Sequence, residues 1–203
     1  MKKELSENRT VVGESILVYD LEATCWEPKS SQPSDESSEI IAIGWCFLNT
    51  ATWEPFDMGQ LIVKPEKSKL SPFCIELTGI TPKMIKGGMT FEALCKNLVH
   101  KRGFRKYLSA SWGSDDRMVW NQCEQDNCEY PFSGKHIDIA AMYQVMLSRS
   151  RATGLAMALK ELGLEFEGTP HRPKWDAWNT AKVLGIILSG KLHTKINAKA
   201  ITG

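Results

Sequence analysis

Short apolar runs alternate with polar, serine- and glycine-rich stretches along this chain. Residues 15 to 19, Ser-Ile-Leu-Val-Tyr, are short, apolar and partly β-branched, the pattern of a buried strand. Ile40 to Leu48 reads as a second strand, and residues 59 to 64 as a third that ends at Pro65. The three predict an opening antiparallel meander. Residues 27 to 38, serine-rich with Pro28 and Pro33, predict a flexible loop that cannot be core. Thr90 opens a helix in which Leu94 and Leu98 stand four apart on one face. Lys106 to Ser111 reads as another strand and Ile137 to Leu147 as helix. Thr153 is read as the cap of a helix over Gly154 to Leu162, stopped by Gly163. Asp176 to Leu188 predicts the final helix, stopped near Gly190. Strands first, then strands and helices in alternation, predict a mixed α/β or α+β layer fold. Residues 1 to 13 and the last dozen residues read as polar ends of a single domain spanning 1–203, with its core at about 15–190.

Composition narrows the classes. The 203 residues carry 25 basic and 24 acidic side chains, a formal net charge of +1. Any nucleic-acid site must therefore come from local charge or bound metal, not from bulk attraction. The longest apolar run, Ile40 to Leu48, is interrupted by Gly44 and is far too short to span a bilayer. MKKELSENRT lacks the apolar stretch of a signal peptide. A cytoplasmic protein with six free thiols is the expectation. Cys123 and Cys128, with His136 beyond, lack the tight, repeated pairs of a zinc site, so zinc is not expected there.

The chemistry lies in carboxylates. Tyr19-Asp20-Leu21-Glu22 ends the first strand, and a period of two puts Asp20 and Glu22 on one face. Adjacent carboxylates repel unless a cation sits between them, and a hard divalent ion such as Mg²⁺ or Mn²⁺ meets that need. Far along the chain, His171 precedes Asp176 by five residues, and Asp176 opens a helical stretch where the dipole favours a carboxylate. Gly113-Ser114-Asp115-Asp116 supplies a further acid at a turn or helix start. Four carboxylates and a histidine from three segments suit two-metal hydrolysis of a phosphodiester, with two ions about 4 Å apart and the histidine taking the proton of the attacking water.

With these motifs in order, the chain resembles the DnaQ-like, DEDD-type 3′→5′ exonucleases, in the branch with histidine in the third motif. Asp20-x-Glu22 is similar to the first motif, Asp116 of Gly113-x-x-Asp116 to the second, and His171-x4-Asp176 to the third. DLEATCW, EIIAIG at 39–44, FCIELTGIT at 73–81 and GLEFEGTPHRPKWDAWNTAKV at 163–183 resemble the Eri-type exonucleases of histone mRNA and small RNAs. The family's pattern is departed from at Asp115, where Eri-type members can have tryptophan, and at Ala42, where an acid often stands. The resemblance implies an RNase H-like fold, a five-stranded mixed sheet flanked by helices. It implies an enzyme that hydrolyses single-stranded nucleic acid from 3′ ends, RNA before DNA, to nucleoside 5′-monophosphates.

The resemblance also implies roles. Asp20, Glu22, Asp116 and Asp176 bind two Mg²⁺ or Mn²⁺ ions, and His171 is the general base. Ala23 and Thr24 meet the terminal nucleotide, with Leu77 and Thr78 near its base or ribose. Phe73 and Trp112 offer aromatic faces for unpaired bases, or are core. Lys101, Arg102, Arg105 and Lys106 track a phosphate backbone or form a solvated helix end. The 27–38 loop follows the first motif and is a candidate lid. A DNA-trimming exonuclease and a non-catalytic module that binds nucleic-acid ends or a partner are the competing readings; no accessory nucleic-acid domain is expected on this chain.

Overall fold

The structure, a computed structural model, describes residues 14–202, with side chains to 197. The N-terminal polar segment expected at 1 to 13 lies outside these residues. The chain opens with strands β1 (Ser15–Ala23), β2 (Ile40–Asn49) and β3 (Pro55–Ile62). Three short helices follow: α1 (Pro72–Thr78), α2 (Pro82–Lys86) and α3 (Phe91–Lys96). Each starts where a hydroxyl accepts a backbone N–H three residues on, Ser71 from Cys74, Thr81 from Met84 and Thr90 from Ala93. Then come β4 (Ser109–Ser111), α4 (Asp115–Gln125), β5 (His136–Asp138), α5 (Ile139–Met146), α6 (Leu155–Glu161), α7 (Pro173–Leu188) and α8 (Leu192–Thr202).

The sheet order is β3-β2-β1-β4-β5. The meander β1-β2-β3 is antiparallel as expected, while β4 and β5 run parallel to β1. This mixed five-stranded sheet flanked by helices agrees with the expected fold. Strand periodicity sorts the core. Ile16 and Val18 of β1, with Cys46 and Leu48 of β2, face α5, α6 and α7. Leu17 and Tyr19, with Ile43, Trp45 and Phe47, face α3 and α4. Asp20 and Glu22 continue the first row, so they lie on the side that α7 covers.

Several boundaries differ from the sequence reading. Residues 106 to 111 divide into a 3-10 turn at Phe104–Lys106 and only three strand residues. His136–Asp138, expected inside or just before a helix, is a strand, because Asp138 accepts the Ala141 N–H and starts α5 only after it. Gly154, not Thr153, is the cap residue of α6, and it offers no side-chain bond. The expected polar tail is helix α8, anchored by buried Leu192. No described helix is long and apolar enough to cross a membrane.

Candidate active site

β1 is the central strand, and its C-terminal end carries the acids. Parallel neighbours end at the same rim, where ligand crevices of α/β sheets form. β4 runs through Trp112, Gly113 and Ser114 into α4, whose first residue is Asp115. From the other side, α7 begins at Pro173, a residue preset for a first helical turn, and Asp176 falls in that turn.

A glycine makes the approach of α7 possible. Gly44 pairs with Asp20 across the sheet. A Cβ at Gly44 would overlap the backbone of Pro173 and Lys174. Because only hydrogen stands there, the start of α7 lies flat on β2 and delivers Asp176 beside Asp20. Asp20, Glu22 and Asp176 thereby place carboxylate oxygens within 4.8 Å of one another.

His171 sits on the approach to α7, exposed, with φ +57, in the left-handed region that histidine enters more readily than most non-glycine residues. Arg172 braces this turn. Its Nη1 donates to the carbonyls of Thr78, Leu77 (3.4 Å) and His171 (2.9 Å), clamping the turn to the C-terminal carbonyls of α1. Gly79, at φ +62, leaves room for the guanidinium. The Arg172 backbone N–H donates to Asp176 Oδ2 at 2.9 Å, fixing that carboxylate.

The electrostatics are those of a site short of positive charge. Burial, then Asp115, Asp176 and Glu22, push the Asp20 carboxyl well above its usual range. Burial, then Asp176, raise Glu22 to about 7, against the pull of Arg172. Burial, with Asp116 and Asp138, raises Asp115 to about 7, although the Leu21 backbone N–H favours its charged form. Burial likewise raises Asp176. A hard divalent ion would relieve this repulsion, and oxygen-only donors suit such an ion.

The expected second-motif acid, Asp116, has its Oδ1 3.8 Å from His136 Nε2. Its neighbour Asp115 helps to raise the Asp20 and Glu22 carboxyls. Both acids stand in the first turn of α4, and neither belongs to the trio of carboxylates within 4.8 Å of one another. His136 itself is held between Ser109 Oγ and Ser111 Oγ, each at 3.1 Å.

Of the expected nucleotide contacts, Thr24 and Thr78 are fully buried and engaged within the protein. Thr24 Oγ1 accepts the Glu39 N–H, and Thr78 Oγ1 donates to the Cys74 carbonyl. Ala23 and Leu77 are half-buried. Phe73 lines a cavity of about 450 Å³ with Trp26, Pro33 and Lys69, beside the 27–38 loop. Trp112 packs on Tyr143 in the core and donates to the Thr153 carbonyl at 3.1 Å. The basic cluster precedes β4, and its Arg102 lies on the face of the sheet opposite the acids. Arg102 covers the Trp45 ring and Arg105 pairs with Glu129. Gly44 and Arg172 were missed from the sequence; a glycine inside a strand is the signal that could have found the first.

A mixed β3-β2-β1-β4-β5 sheet with acids at the end of its central strand and a facing helical acid defines a nuclease-type metal site on an RNase H-like fold. The chain matches the family model RNase_T, described as Exonuclease, over residues 17–184, and belongs to that family. It is 33% identical to "3′-5′ exoribonuclease 1" of Homo sapiens, over 93% of this chain and 56% of the relative. It is 30% identical to "ERI1 exoribonuclease 2" of Mus musculus, over 82% of this chain and 27% of the relative. The chain thus spans about half, or less, of the length of these relatives. Among solved structures, the nuclease domain of 3′hExo, a DEDDh family member bound to rAMP, superposes with a TM-score of 0.77. That match has 32% identity and covers 87% of this chain and 92% of that domain. The family is divalent-metal dependent in general.

Proposed function

We propose that this chain is a 3′→5′ exonuclease that hydrolyses single-stranded RNA in preference to DNA and releases nucleoside 5′-monophosphates. The observation that carries the reading is the convergence of Asp20, Glu22 and Asp176 within 4.8 Å at the rim of the central strand. The exoribonuclease names of the relatives and the nucleotide bound by the similar nuclease domain support RNA as the first substrate.

Asp20, Glu22 and Asp176 would hold the ions, Mg²⁺ or Mn²⁺, and Asp115 is the fourth carboxylate in preference to Asp116. When bound, such a pair lowers the pKa of the attacking water and stabilises the leaving oxygen. The chain supplies the rest. His171 accepts the water's proton, and its exposed position in front of Asp176 leaves it free to release that proton afterwards. Arg172 keeps the His171 turn docked on α1 and keeps Asp176 aimed at Asp20. The groove between the 27–38 loop and Phe73 is the candidate path for the nucleotides behind the terminal one. Six free thiols fit a cytoplasmic setting.

Matched RNA and DNA oligonucleotides, digested with Mg²⁺ or Mn²⁺ and resolved by chromatography, test the reading. The expected products are nucleoside 5′-monophosphates, formed faster from RNA. Nucleoside 3′-monophosphates or internal cuts would contradict it; equal or faster hydrolysis of DNA would overturn the substrate preference alone.

A further inference from the structure

Away from the carboxylates, three thiols converge. Cys95 on α3, Cys123 on α4 and Cys128 just after α4 bring their sulfurs within 4.8 Å of one another. Cys95 Sγ is 3.9 Å from both Cys123 Sγ and Cys128 Sγ, and all three thiols are free. Sulfurs bound to one tetrahedral ion at a Zn–S distance of about 2.3 Å stand about 3.8 Å apart, which is nearly this spacing. Cys95 and Cys123 are buried and Cys128 half-buried. A single buried cysteine needs only packing to explain it. Three from two segments far apart in the chain, converging on one centre, do not follow from packing alone. Cys128 Sγ donates to Cys95 Sγ and Cys123 Sγ to the Glu129 carbonyl, each at 3.9 Å. Cys123 and Cys128 also line a cavity of about 340 Å³ with Trp120, Glu124, Asn127 and Tyr130, which gives an ion a way in and an open fourth position.

We propose that Cys95, Cys123 and Cys128 form a three-thiolate site for a soft divalent cation of the zinc class, separate from the carboxylate site. Oxygen donors at the sheet rim select a hard ion, whereas thiolates select a soft one, so the two sites take different metals. Each thiol releases its proton to solvent on binding, and no oxidation is involved. Three thiolates and a divalent ion leave one negative charge. The site would tie α3 to the C-terminal end of α4, the helix whose first residue is Asp115. The spacing of Cys123 and Cys128 gave no hint of this, because the third ligand comes from an earlier helix.

The full chain, reduced and stripped with chelator, would be titrated with Co²⁺ and then competed with Zn²⁺. Sulfur-to-cobalt charge-transfer absorbance is the readout, and oxygen donors at the other site give none. The expected result is a band that saturates at one ion per chain and is removed by zinc. Cys128→Ala, the least buried of the three, should weaken binding by at least the roughly 10–100-fold that loss of a mere outer-shell partner costs, with circular dichroism unchanged. Cys25→Ala should leave the band intact. Absence of the band in the folded, reduced chain, or a band indifferent to Cys128→Ala, would overturn the proposal. A disulfide among the three in protein isolated without metal would overturn it in favour of a redox pair.

Discussion

Two side chains decide whether the acid cluster is a catalyst or only a charged rim. His171 is exposed, held at φ +57 and adjacent to the Arg172 clamp. If it is the general base, His171→Ala lowers turnover by about 10²–10⁴ while ion affinity stays nearly unchanged. Single-turnover digestion alongside calorimetric ion titration separates the two quantities; undiminished turnover would remove His171 from the mechanism. The second test sets Asp115→Asn against Asp116→Asn. The first should abolish measurable digestion and weaken ion binding, whereas the second should retain most activity, since Asp116 stands against His136. The reverse ranking would return the role to Asp116. The sequence showed both acids at a helix start, which does not choose between them, because their directions depend on where the first turn begins.

At the level of elements, the site depends on how closely α7 rests on β2. Gly44→Ala puts a methyl group into the backbone of Pro173 and Lys174, which cannot rotate away. Overpacking of this kind costs about 1–3 kcal/mol. The expected outcome is a lower melting temperature together with weaker ion binding, because Asp176 is carried away from Asp20. A variant with wild-type ion affinity would show that α7 reaches its place by other means. The apolar, β-branched runs made β1 and β2 legible, and the alternation at Asp20 and Glu22 made their shared face legible. β5 and α8 were not. His136–Asp138 is too short to show a period, and in α8 the apolar positions that pack, Leu192 and Ile196, are separated by His193, Thr194 and Lys195. The sequence left Trp112 open between stacking and core, and its contact with Tyr143 supports the core reading.

Over the whole molecule, the buried acids couple stability to pH and to metal. Glu22 and Asp115 are raised from 4.5 and 3.8 to about 7 in the fold. An acid with a raised folded pKa keeps its proton in the native state after the unfolded chain has lost it. Between the two values the native state binds more protons, so stability falls as pH rises from about 4 through about 7. A divalent ion favours the charged forms and reverses that loss. In EDTA these groups should therefore lower the melting temperature across this window, and the increment from Mn²⁺ should grow from about pH 5 to about pH 8. An increment that does not change with pH would mean the ion binds elsewhere.

The most direct measurement follows a 5′-labelled single-stranded RNA through digestion with Mg²⁺ or Mn²⁺, with EDTA and Asp20→Asn as paired controls. The account predicts a ladder that shortens stepwise from the 3′ end, and no shortening in either control. Cleavage that survives EDTA or Asp20→Asn, or no cleavage of RNA or DNA with either ion, would contradict it.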